Sequence, residues 1–165
     1  MTAKIMRYQQ ADYINTATTG TETYALMGTG FKTLDESPSP QVEKEAFICD
    51  KVKSASTDSY EPSFAFDTYL IKDETAIMTL YKVGHDQLTG ADAERDYVRV
   101  DLYDPVSGGG NANTYNARKF RVAVEVTDCS GEGAKPLGCK GNLNQVGDMV
   151  LGTFNTSTKT FTKKA

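Results

Sequence analysis

Side chains able to do acid–base, nucleophilic or metal chemistry are few in this 165-residue chain. The one histidine, His85, stands in Gly84-His85-Asp86. A histidine beside a carboxylate can act as a general base, but nothing nearby in sequence offers a nucleophile for it to activate. A solvated loop residue is the stronger reading, with a small hydrolase built on His85 as its rival. Cys49, Cys129 and Cys139 are scattered, and the last two have the wrong spacing for a zinc knuckle and no second pair. They flank a glycine-rich loop, Ser130–Gly138, so a late disulfide is open, but unpaired thiols are expected in a reducing compartment. The acidic run Asp86–Glu94 lacks the regular spacing of oxygen ligands that calcium loops use. Gly108-Gly109-Gly110-Asn111 has neither the Gly-Lys-Ser/Thr ending nor the following helix of a phosphate loop. The chain therefore reads as non-enzymatic, and no cofactor or metal is implied.

A formal charge of −4, with no basic stripe, argues against a protein that neutralises phosphates along nucleic acid. The first residues contain no apolar run of signal-peptide type, and no segment reaches transmembrane length. Folding in a cytoplasm without membrane insertion is the expectation. With 39% hydrophobic and 24% charged residues, the composition is that of a globular domain. Abundant Thr, Tyr and Phe, with no Trp, suits half-buried pleated surfaces.

One domain over 1–165 is expected, mainly β, with one short helix covering an open end or face of a sheet sandwich. Residues 1–22 show no period and read as an N-terminal arm. Tyr24–Phe31 reads as a strand broken by glycine, and a second strand is expected over Glu43–Asp50, centred on Phe47-Ile48-Cys49. Lys51–Glu61 is a long polar loop. In the next strand Phe64, Phe66, Thr68 and Leu70 share one face. The helix is predicted over 73–83, capped by Asp73 and ended by Gly84, with Ile77, Leu80 and Tyr81 on its inner face, joined by Ala76 and Val83. Asp96–Tyr103 and Lys119–Thr127 alternate cleanly. Val98, Val100 and Leu102 point one way and Phe120, Val122, Val124 and Val126 likewise, each strand keeping one wet or partner-facing side. A short strand over Leu137–Leu143, another over Asp148–Phe154 and a C-terminal hairpin and tail over 155–165 complete the chain.

The order of these segments resembles the major tail tube proteins of long-tailed, non-contractile bacteriophages. The collinear features are Gly28-Thr29-Gly30 and Val42–Ile48; then Ser59-Tyr60-Glu61-Pro62-Ser63, where serine replaces the family's usual glycine; then the helix opening Asp73–Ile77, Phe120–Glu125, Leu137–Asn142 and Gly147–Phe154. The last is similar to the family's Gly-Asp-x-Val-x-Gly-Thr-Phe strand. The resemblance spans roughly residues 24–162 and rests on no single motif.

The resemblance implies a β-sandwich or barrel of two antiparallel sheets flanked by one α-helix, in a structural virion protein whose hexameric rings stack into the channel for DNA delivery. It implies partners beyond the chain itself: a tape measure protein, a tail terminator and a baseplate or tip. DNA would pass through the lumen without specific binding, in a virion tail assembled in the host cytoplasm. The loop matching the family's inter-ring contact carries Lys51, Lys53, Ser54, Thr57, Asp58, Tyr60 and Glu61. Candidate lumen-facing residues, on the strands' non-core sides, are Asp67, Arg99, Asp101, Arg121 and Glu125. A contractile-tail or secretion-type tube, a tail terminator or capsid decoration protein, and a carbohydrate-binding β-sandwich are the competing readings. The sandwich would want exposed aromatic platforms and a secretion signal.

Overall fold

The computed structural model describes residues 2–165. Among them the strands are β1 (Gln10–Asn15), β2 (Tyr24–Leu26), β3 (Phe31–Ser37), β4 (Pro40–Glu45), β5 (Ser54–Tyr60) and β6 (Ser63–Tyr69). The helix α1 (Thr75–His85) precedes β7 (Glu94–Pro105), β8 (Thr114–Ser130), β9 (Gly138–Gln145), β10 (Val150–Asn155) and β11 (Thr160–Lys163). Nine strands form one antiparallel sheet in the order β2-β1-β7-β8-β9-β6-β3, with β10 and β11 branching from β8. The branch exists because β8 is 17 residues long. Its first residues pair with β10, its later ones with β9, and its other edge takes β7. A second, two-stranded sheet consists of β4 and β5 alone.

The expected mainly β architecture of antiparallel sheets with one flanking helix is present, and its larger sheet curls back on itself. From β7 to β3 the ladder takes four steps, about 19 Å in a flat sheet at the usual strand spacing. Yet Arg99 on β7 donates to the Leu34 carbonyl on β3 at 2.9 Å. Aromatic residues fill the resulting trough, Phe64 lying 4.8 Å from Tyr97 and 4.9 Å from Phe120 between ring centroids. Val122, Val124, Leu34, Phe66 and Leu143 complete this core. A smaller apolar cluster covers the other face, where Tyr13, Tyr24, Val98, Val100 and Ala117 surround Phe154.

Helix α1 starts two residues later than expected, with Glu74 rather than Asp73 at its N-cap. Its buried stripe is Ala76, Ile77, Leu80 and Val83, and Tyr81 is only half-buried. Gly84 lies inside the helix rather than ending it. A Cβ there would stand 2.8 Å from the Val126 Cβ, so the missing side chain lets α1 sit down on β8.

Four further expectations are corrected. The N-terminal arm does not extend to residue 22: β1 lies within the sheet, paired with β2 and β7, and buries Tyr13 and Ile14 on opposite faces. The strand expected over Glu43–Asp50 ends at Glu45, and Phe47-Ile48-Cys49 forms part of an exposed turn. Lys51–Glu61 is no loop along most of its length, since Ser54–Tyr60 pairs with β4. Cys129 and Cys139 are joined as a disulfide, because the β8–β9 register sets them directly opposite each other; Cys49 is free and exposed.

Candidate functional site

His85 ends α1, exposed, with Nδ1 2.7 Å from the Asp86 carboxylate. Among the described residues no three His, Cys, Asp or Glu side chains gather in a way that could hold a metal. The features that set this molecule apart are an arm and the polar seam at its base.

The arm is the β4–β5 hairpin. It leaves the body after Ser37 and returns at Ser63, bounded by Pro38, Pro40 and Pro62. Its strands pair from Pro40 with Tyr60 to Glu45 with Ser54, with an irregularity near Val42. Every residue of both strands is exposed. Short polar side chains in β5 (Ser-Ala-Ser-Thr-Asp-Ser-Tyr) give it no apolar face to lay on the body. At the tip Phe47 is 67% and Ile48 fully exposed. A two-stranded hairpin alone is marginally stable in water, and the body of the subunit gives this one no apolar cover. Of the residues singled out from sequence, Ser54, Thr57, Asp58 and Tyr60 lie on β5, Lys51 and Lys53 just before it and Glu61 just after; all seven are exposed.

The seam lies where β3 meets β1, β7 and β8. Asp12, 2% exposed, accepts through Oδ1 from the Tyr97 hydroxyl and from Arg99 Nε at 2.8 Å, and through Oδ2 from Arg7 at 2.6 Å. Arg99, 3% exposed, also donates to Leu34 O and to Glu36 at 3.2 Å. Arg118 completes the seam with two bonds to Glu36, 2.7 and 2.8 Å long. Hydrogen bonding from Arg118 holds the Glu36 carboxyl below the ordinary range; burial opposes this, and the charges of Arg118 and Arg99 reinforce it. Burial pushes the Tyr97 hydroxyl well up, with the Asp12 charge adding to it. Burial alone disfavours the Arg99 cation, but Tyr97, Asp12 and Glu36 outweigh it and raise its pKa. Sequence reading missed the seam except for Arg99, because its members come from strands far apart in the chain.

The lumen candidates separate into two groups. Arg99 is corrected outright: it is interior, since Asp12 and Glu36 neutralise it inside the trough. Asp101 shares the Arg99 face, half-buried, and accepts from Gln10 at 3.2 Å. Asp67, Arg121 and Glu125 share the opposite face, as the β6–β9–β8 register requires. Asp67 pairs with Lys32 at 3.2 Å, and Arg121 with Glu94 at 3.1 Å and Asp96 at 3.3 Å. Glu125, exposed, accepts from Asn144 at 2.9 Å.

A curled antiparallel sheet, one helix docked on its long central strand and a two-stranded arm projecting from one end make up a fold shared with solved phage tail tubes. The chain superposes on the SPP1 tail tube with a TM-score of 0.63 and 12% identity, covering 90% of this chain and 78% of that one. It also matches the tail of an empty GTA particle, a structure of C6 symmetry, with a TM-score of 0.58 and 7% identity over 88% of this chain and 97% of the other. Identities this low establish a shared fold. No protein-family model matches the chain, and no curated protein matches it in sequence.

Proposed function

We propose that the chain is the major subunit of a non-contractile phage tail tube, a structural role without catalysis. The observation that carries this reading is the likeness to the SPP1 tail tube across 90% of the chain. Six copies close a ring, as the C6 symmetry of the GTA tail suggests by analogy, and rings stack into a hollow tube that conducts DNA. Each ring must present one face to the opposite face of the next, a heterologous contact that extends without closing. The exposed hairpin suits that contact, with Lys51, Lys53, Ser54, Thr57, Asp58, Tyr60 and Glu61 as its inter-ring residues. Asp67, Arg121 and Glu125, which share one face of the sheet, are the candidates for the wall facing DNA, Asp101 being the alternative on the opposite face, and the net charge of −4 limits attraction to phosphates. A tape measure inside and terminator and baseplate proteins at the ends are the expected partners, in a virion tail assembled in the bacterial cytoplasm. Negative-stain microscopy of the purified protein tests this: six-fold rings or hollow tubes are expected, and a protein that stays monomeric at every concentration overturns it.

A further inference from the structure

The arm tip carries an apolar pair that its own subunit leaves exposed, and the same subunit opens an apolar cleft to solvent. The cleft, of about 840 Å³, lies between the N-terminal segment and the strands β1–β3, with Met6, Tyr8, Leu26, Met27, Phe31 and Leu102 among its walls. Tyr8 is 78% and Leu26 47% exposed, so its apolar surface faces water. It sits toward the Phe31 end of β3, whereas the arm departs from the Ser37 end of that strand. Knob and socket are therefore separated along one strand, an arrangement that joins copies head to tail rather than in closed pairs. Arg7 and Lys32 also line the cleft, but their charges are already met by Asp12 at 2.6 Å and Asp67 at 3.2 Å, so what the cleft offers a partner is its apolar wall.

We infer that Phe47 and Ile48 of one copy insert into the Met6–Leu26–Phe31 cleft of a second copy in the adjacent ring. The inference rests on the tube reading above and assigns that contact a specific occupant and socket. Burying one large apolar side chain is worth about 1.5–3 kcal/mol, and about 1.4 kcal/mol is tenfold in an equilibrium constant. The variants Phe47→Ser and Ile48→Ser should each raise the concentration needed for assembly roughly tenfold or more. Both positions are exposed, so the monomers should melt as wild type does, which separates lost docking from lost folding.

The native thiol of Cys49 adjoins Ile48 and gives a direct readout. In assembled Leu26→Cys protein, a short bismaleimide should join the introduced thiol to Cys49 of another copy, producing a ladder longer than a dimer on denaturing gels. Peptide mass spectrometry identifies the joined pair. Wild-type protein and a Thr89→Cys control, whose thiol lies outside the cleft, should give no such ladder. Tubes that form normally while Leu26→Cys yields no adduct with Cys49, or while Phe47→Ser assembles at the wild-type concentration, overturn the docking and leave the tube reading standing. Wild-type protein that never assembles overturns both.

Discussion

Replacing Asp12 by alanine should be among the most damaging single changes to the body of this molecule, although it deletes only a carboxylate. Asp12 accepts from Tyr97, Arg99 and Arg7, and the first two have relative exposures of 0% and 3%. Without it, a buried guanidinium and a buried hydroxyl each lose a partner that water cannot replace. Breaking a buried ion pair from one side costs about 3–5 kcal/mol. Arg99 keeps Glu36 and the Leu34 carbonyl, which places the expected loss near the lower end of that range. For a domain of this size each kcal/mol moves Tm by about 2–4 °C, so Asp12→Ala should melt about 6–12 °C below wild type. The assay is thermal unfolding followed by circular dichroism, at protein concentrations below those that support assembly. Asp12→Asn keeps an acceptor for Tyr97 and loses the charge, so it should fall between wild type and alanine. The decisive comparison is a double-mutant cycle with Arg99→Met, which removes the orphaned cation. The double variant should lose less stability than the sum of the single losses. A Tm drop under about 2 °C for Asp12→Ala, or strictly additive losses, would refute the claim that Arg99 depends on Asp12 as its buried counter-charge.

Glu36 supplies a pH signature. Its folded-state pKa is depressed below the unfolded value of about 4.3, so its contribution is present above that value and is lost as pH falls through the lower folded one. Tm should fall on acidification from about pH 5 to pH 3, and Glu36→Gln should lower Tm at neutral pH while flattening that acid slope. Gly84→Ala should destabilise by about 1–2 kcal/mol despite alanine's better helix propensity, because its Cβ meets Val126, and Val126→Ala should relieve the clash only in part, since the Val126 Cβ that stands 2.8 Å away stays in place. Replacing Gln41–Ser59 by two glycines, which bridge the paired Pro40 and Tyr60, should leave Tm within about 2 °C of wild type, since both strands of the arm are wholly exposed. The same variant should form no tubes by electron microscopy; normal tubes would dismiss the arm as the stacking element.

What was legible in the sequence was whatever depends on near neighbours. The stripe Ala76-Ile77-Leu80-Val83 and the alternation Phe120-Val122-Val124 each need only their own period and the presence of one core. β1 was not legible, because Tyr13 and Ile14 are adjacent and buried on opposite faces, so the segment shows no alternation. Its charged residue also looked like a surface residue, since the partner that makes it an interior one, Arg99, is 87 positions away. Arg99 was misplaced for the same reason: two-sided burial of β7 turns an apparently wet face into part of the trough. In the arm, apolar Phe47-Ile48-Cys49 reads as a strand centre and polar Ser54–Tyr60 as a loop, the reverse of what forms. Patterning reports burial within one chain, and this element has none.

The seam and the arm belong together. Where a sheet curls so that β3 faces β7 without ladder bonds between them, apolar packing alone leaves the sliding register between those strands weakly determined. Directional bonds from Arg99 to the Leu34 carbonyl and to Glu36, and from Arg118 to both Glu36 oxygens, add to the β3–β6 ladder in fixing it. Glu36 is the penultimate residue of β3, immediately before the chain departs into the arm. A shift of one residue there would displace the whole hairpin by about 3.3 Å and reverse its faces, enough to misalign any contact made at its tip. Buried charge at this point therefore helps decide where the arm is aimed as well as how stable the body is.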